Sequence, residues 1–177
     1  MSNSGKLMDM LTGYAASHQH PFNIFVHMVG IPTIMLGVLI PLTWASFEFA
    51  GLAFNLAHVA MIGFFFFYLT LDKIFAVVFL VFVLLVAQLA GYIGAEPMAR
   101  SGTIAAAAFF GGYAAQFIGH AVERSMPVLV KHPIQANLAA PFFTVVEMFK
   151  LLGLRDDLFH EVQAQIAKRR EQEPGPA

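Results

Sequence analysis

The chain reads as an all-α integral membrane protein. Four transmembrane helices are preceded by an N-terminal amphipathic helix and followed by a re-entrant or interfacial segment and a C-terminal surface helix. Three observations lead there. Hydrophobic residues form 58% of the chain and charged residues 12%, with mean hydropathy +0.70, far from the balance of soluble domains. Residues 25–47, 51–71, 74–95 and 103–122 contain no Asp, Glu, Lys or Arg, and each is close to the roughly 20 residues that a helix needs to cross the hydrocarbon. After His120 the apolar character continues, but Pro127, Pro133 and Pro141 interrupt it, which cuts residues 123–154 into pieces too short to span. The result is a single membrane domain over 1–177, with the amphipathic helix at 4–17, the four-span bundle at 21–122, the interfacial segment at 123–154 and a tail at 155–177.

In the first element, Leu7, Met10, Leu11 and Tyr14 recur at helical spacing with Lys6 and Asp9 among them, the pattern of a helix lying on the membrane surface. The first twenty residues lack the basic, apolar and small-residue order of a cleavable signal, so the first span is expected to act as the insertion signal. Pro21 has no N–H and restricts His20 to extended conformations, so HQHP is expected to turn and the first spanning helix to start at Pro21. Pro32 and Pro41 are expected to bend that helix. Leu71-Asp72-Lys73-Ile74 forms a tight hairpin that makes spans two and three antiparallel neighbours. The GFFFFY run in span two reads as lipid-facing or packing surface. Glu147 and Lys150 read as a surface ion pair. Leu158, Val162 and Ile166 line one side of a last helix, at about 156–172, which ends near KRRE as a soluble or surface-bound tail.

The formal net charge of −1 argues against a nucleic-acid partner. There is no cysteine, so any metal must be held by imidazole and oxygen. Counting Lys and Arg near the spans puts the N-terminal arm, Lys73, Arg124, Lys131, Lys150 and Arg155 on one side, against Arg100 on the other. The positive-inside rule then places both termini in the cytoplasm, in a bacterial inner membrane or, in a eukaryote, the endoplasmic reticulum. This orientation brings His18, His20 and His27 to the membrane level of His120.

An ionisable group in hydrocarbon is costly enough to suggest function, and imidazole is a common metal ligand. A lone histidine near a span end usually bonds a carbonyl or reaches for water; several at one level point to a metal site. His120 shares a helix face with Gln116 and Glu123. Gln116 is placed to orient the imidazole from behind, and Glu123 to act as ligand or base, or, with Arg124, merely to cap the helix. His58 falls in the other leaflet and reads as structural; His132 and His160 read as solvated.

The run Tyr14, His18, Asn23, His27, Gly30, Pro32, followed by Gln116-Phe117-x-Gly119-His120, Glu123, Pro127, Ala140-Pro141 and Phe143, resembles the small membrane 2-hydroxy fatty acid dioxygenases of the fungal endoplasmic reticulum and many bacteria. The resemblance runs from Tyr14 to about Leu154. It implies an iron(II)-dependent α-oxidation in which a 2-hydroxy fatty acid loses one carbon with O₂ as oxidant, in fungi during phytosphingosine breakdown. The family pattern carries over to His18, Asn23, His27 and His120 and does not require His20. It departs at Glu123, which follows His120 by three residues where the family usually has four.

On that reading His18, His27 and His120, with His20 or Glu123 as a further ligand, hold Fe(II) and leave positions open for O₂ and a chelating 2-hydroxy carboxylate. The acyl chain extends among the spans and into membrane lipid, and Arg124 or Lys131 neutralises the carboxylate. The proline-broken segment covers the site. A di-iron hydroxylase needs more histidines, in repeated boxes. A zinc-dependent membrane hydrolase shares the ligand chemistry, and a non-enzymatic scaffold or small transporter would use the histidines structurally.

Overall fold

The computed structural model describes residues 3–172. Its elements are α1 (Asn3–Ala15), α2 (Pro21–Trp44), β1 (Ser46–Phe49), β2 (Leu52–Asn55), α3 (Leu56–Leu69), α4 (Lys73–Gly94), α5 (Met98–Glu123), α6 (Val128–Lys131), α7 (Pro133–Leu151) and α8 (Asp156–Gln172). The chain is a largely helical membrane protein. By length and composition α2 and α4 can each cross a membrane, and α7 with α8 forms a further candidate only as a pair bent by 116°. Two helices, or three candidates with the bent pair, meet that measure of length and apolarity, which does not by itself reach the four that the sequence reading expects: α3 has only 14 residues, and α5 carries Arg100, Gln116 and several glycines along its 26 residues.

Pro21 opens α2 as expected, and the helix runs unbroken through Pro32 and Pro41. The expectation that span two begins near residue 51 is corrected by a hairpin. Phe47 pairs with Phe54 and Phe49 with Leu52 across a two-residue turn, Ala50 and Gly51, with φ of 53° and 76°. Two positive φ angles match the right-handed twist of the strands. Asn55 then caps α3: its side chain accepts from the His58 N–H, while the His58 Nδ1 accepts from the Asn55 N–H, each at 3.2 Å. A histidine here does the work of the usual Glu or Gln, which accounts for His58 structurally. At the expected tight hairpin, Asp72 accepts from the N–H groups of Ile74 and Phe75 at 2.9 and 3.1 Å and starts α4 antiparallel to α3. Arg155 reaches it at 2.7 Å and lies over the Phe75 ring at 4.6 Å.

The interfacial segment differs most from expectation. Pro141 does not break it, because α7 is continuous from Pro133 to Leu151 with Pro141 inside. The proline strips the N–H that would bond the Asn137 carbonyl, yet packing outweighs the loss. Tyr68, fully buried, donates to the neighbouring Leu138 carbonyl at 2.8 Å. Its ring meets Phe79 and Phe142 at 4.6 and 4.8 Å, and Phe75 meets Phe142 and Phe149. This aromatic cluster holds α7 against α3 and α4. Glu147, expected at the surface, is buried on α7, with Lys150 3.6 Å away.

The ends of the chain also fold back onto protein. The apolar face of α1, with Leu7, Leu11 and Tyr14 buried, packs on α7 and α8 instead of lying free on a lipid surface, and α8 answers with buried Val162 and Ile166. Arg169 and Asp9 pair at 3.0 Å on the exposed rim, where such a pair contributes little. The last part of the expected tail, residues 173–177, lies outside the described residues.

The closest helix pair is α2 with α5, antiparallel. Gly30 lies against the Gly112 carbonyl and Gln116, Gly37 against Ala105 and Phe109, and Gly119 against Asn23. A Cβ at Gly37 would stand 2.6 Å from the Phe109 nitrogen and 2.8 Å from the Ala105 oxygen; both are backbone atoms that cannot step aside. Between helices in lipid, where there is no hydrophobic force, small residues that let backbones touch supply the attraction. Gly37→Val is therefore expected to cost about 1–3 kcal/mol or more, read as a lower melting temperature of the protein in detergent. Gly111→Ala, on the partner helix α5 with nothing near its Cβ position, should melt like the parent.

Candidate metal centre

Two segments remote in sequence, residues 18–27 and the end of α5, meet where α2 and α5 cross. His18 comes from the turn after α1, His27 from two turns inside α2, and His120 from the last turn of α5. Their ring centroids are 4.3, 4.8 and 4.9 Å apart, all three are buried, and one ring nitrogen of each lies within 4.8 Å of the others. They form a group able to hold a metal ion.

The hydrogen bonds set which nitrogen faces inward. The Nδ1 of His18 lies 2.7 Å from the Tyr14 carbonyl and that of His27 2.9 Å from the Asn23 carbonyl. A carbonyl only accepts, so each Nδ1 carries the proton and each Nε2 keeps its lone pair. The Ser125 hydroxyl donates to the Ser17 carbonyl at 3.3 Å, so it accepts from the His120 Nδ1–H at 2.9 Å. Three lone pairs remain, and the Nε2 of His18 is buried with no partner among the described residues. A buried polar atom left unmade is expensive, and a cation is the ligand that would satisfy it. The donor set fits a metal.

Around the rings the support is dense. Tyr14 stacks on His18 at 4.2 Å with planes 2° apart, and Phe143 of α7 tilts against both. Burial, and then His27 beside it, push the His18 imidazole down to about 2, so it remains neutral, the form that ligates. Burial likewise raises the Tyr14 phenol, so it remains an O–H donor.

Several sequence expectations change here. Glu123 stands outside the three-histidine group: its Oε2 accepts from the Asn23 amide at 2.6 Å and its Oε1 from the Gln19 N–H at 2.7 Å, so the carboxylate ties α5 to the α1–α2 turn. His20 is exposed and caps α2, its Nδ1 accepting from the Phe22 N–H at 3.2 Å. Gln116 does not orient His120, since Ser125 does; its amide nitrogen lines a cavity with no partner. Arg124, with φ of 57°, is the C-cap of α5, and both it and Lys131 are exposed and absent from the cavity wall. Asn23 does belong to the supporting shell. It is fully buried and also donates to the Ser17 carbonyl at 3.2 Å, and a side chain at position 119 would collide with its Oδ1.

The cavity holds about 250 Å³. Its polar lining is gathered at the histidine end, where Tyr14, Gln116, Tyr113 and Asn137 join the imidazoles, and the rest is almost wholly apolar. Tyr113 donates to Asn137 at 2.6 Å, bridging α5 and α7. Tyr113, Asn137, Ser125 and Gln19 were not singled out from the sequence, because each acts through a contact that no local spacing encodes.

Removing a ligand differs measurably from removing support. His27→Ala or His120→Ala should abolish stoichiometric metal in the purified protein, whereas His20→Ala should leave it unchanged. Glu123→Ala should weaken metal affinity about 10- to 100-fold, measured by titration with a chelating dye.

The description "2-hydroxy-palmitic acid dioxygenase Mpo1-like" names the family model that matches residues 5–152, which include every residue of this centre. No curated protein and no solved structure matches the chain. The match takes in every residue that lines the cavity, the three histidines among them, and on it the chain belongs to the 2-hydroxy-palmitic acid dioxygenase Mpo1-like family.

Proposed function

We propose that this protein is an iron(II)-dependent dioxygenase that shortens 2-hydroxy fatty acids by one carbon with O₂. The observation that carries the reading is three buried neutral imidazoles, free lone pairs inward, at the only polar end of an apolar cavity. An amphiphile with a chelating head and a long tail matches that division. Family membership supports the same substrate class. The overall balance is one O₂ per acid: the C1–C2 bond breaks, C2 becomes the new carboxyl group, C1 leaves as carbon dioxide, and the remaining oxygen is reduced to water.

His18, His27 and His120 would hold the metal through their inward-facing ring nitrogens. Iron(II) there would supply the redox chemistry for oxidation of a 2-hydroxy acid by O₂. The protein does the rest. The unpartnered Gln116 amide and the Tyr14 phenol are the donors at hand for the substrate carboxylate, in place of the exposed Arg124 and Lys131. Glu123 and Asn23 fix the turn that carries His18, and α6 with the first turns of α7 covers the cavity from water. We further propose that α2, α3, α4 and α5 all cross the bilayer with both termini in the cytoplasm. The charge asymmetry of the loops supports that orientation.

Anaerobic protein loaded with iron(II) is expected to consume O₂ when given a 2-hydroxy fatty acid, and to release an acid one carbon shorter, seen by mass spectrometry. Bound iron with untouched substrate would refute the reaction. Turnover with zinc, and without O₂ uptake, would mark a hydrolase.

A further inference from the structure

The cavity has a direction. His27, Ile31, Ile34, Val38 and Leu42 line it at one residue per turn of α2, so it follows one helix face for fifteen residues, about 22 Å at 1.5 Å per residue. One leaflet of hydrocarbon is only about 15 Å deep. The lined face is thus longer than one leaflet is deep.

The polar groups all lie at the near end, and α5 contributes no wall beyond Tyr113. Away from the histidines, α3 and α4 contribute an apolar wall. Phe79 and Val83 of α4 are nearly inaccessible, and Tyr68 locks the Phe79 ring edge-on at 4.6 Å. Opposite them stand Ala60, Met61 and Phe64 of α3. Ala60 and Phe64, four residues apart, share a helix face: one is the smallest side chain of the floor and the other among the largest.

We propose that Ala60 and Phe64 of α3 set the acyl-chain length that the protein accepts, by fixing where the cavity opposite the three histidines ends. This rests on the reading that the substrate head sits at those histidines. A tail that fills the cavity gains the transfer free energy of each buried methylene, and a tail that meets the floor too early must leave methylenes unplaced. Each one excluded costs about fourfold in affinity. The bottom of the cavity therefore discriminates chain lengths steeply, while the head chemistry is the same for all of them.

The test uses the full chain in lipid nanodiscs and a series of straight-chain 2-hydroxy acids of increasing length. For each acid, kcat/KM is measured for the parent, Ala60→Phe and Phe64→Ala. In parallel, equilibrium binding of the same acids, radiolabelled, is measured anaerobically. Ala60→Phe should lower the long-to-short ratio of kcat/KM and of affinity by tenfold or more, and Phe64→Ala should shift both optima toward longer acids. An unchanged length profile in both variants overturns the proposal while leaving the dioxygenase reading intact. If the parent turns nothing over, that reading fails and the binding profile alone decides the ruler. If Ala60→Phe loses its metal or melts early, the opposite shift in Phe64→Ala decides it.

Discussion

The backbone contact between α2 and α5 is the constraint on which the rest depends. Glycines at 30 and 37 on one helix, and at 112 and 119 on the other, repeat every seven residues. They meet antiparallel partners at equivalent depths. Side chains of any size would hold the axes apart, and lipid offers no hydrophobic penalty that would force them together. The same crossing that brings Gly119 onto Asn23 carries His120 to His27. The metal centre is thus a by-product of helix approach, and its geometry inherits the rigidity of two backbones in contact.

The surrounding polar network turns a cluster of rings into a directed ligand set. His18 and His27 each give their Nδ1 proton to a carbonyl four residues earlier, so their orientation is settled within one turn of their own chain. His120 depends instead on Ser125 and, through it, on Ser17. Glu123 and Asn23 close the same loop from the other side. A charge among these groups is satisfied by hydrogen bonds without reaching the cavity, which keeps the inward face neutral apart from what it binds. The cavity then separates chemistry from anchorage along its length.

Much of this was legible in the sequence. The start of α2 at Pro21, the hairpin at Asp72, the amphipathic first and last helices, and the meeting of His18, His27 and His120 all follow from local chemistry, charge and the ordering of motifs. What escaped is what depends on contacts between distant residues. The SFEFAGLAFN hairpin was hidden because its strands are as apolar as the span it borders. Pro141 argues for a break in α7, and only the packing of Tyr68, Phe79 and Phe142 keeps the helix whole. Glu123, His20, Gln116, Arg124 and Lys131 were placed by nearness along the chain. The fold gives the first two to clamping and capping, leaves Gln116 facing the cavity and turns the two cations outward.

His18 alone among the three imidazoles lies outside a helix. It hangs from the end of α1, and α1 is seated by Val162 and Ile166 of α8. Helix α8 is consequently a lever whose short arm ends at one of the three histidines. Whatever lifted α8 would shift His18 against His27 and His120 while leaving the backbone contact of α2 with α5 in place.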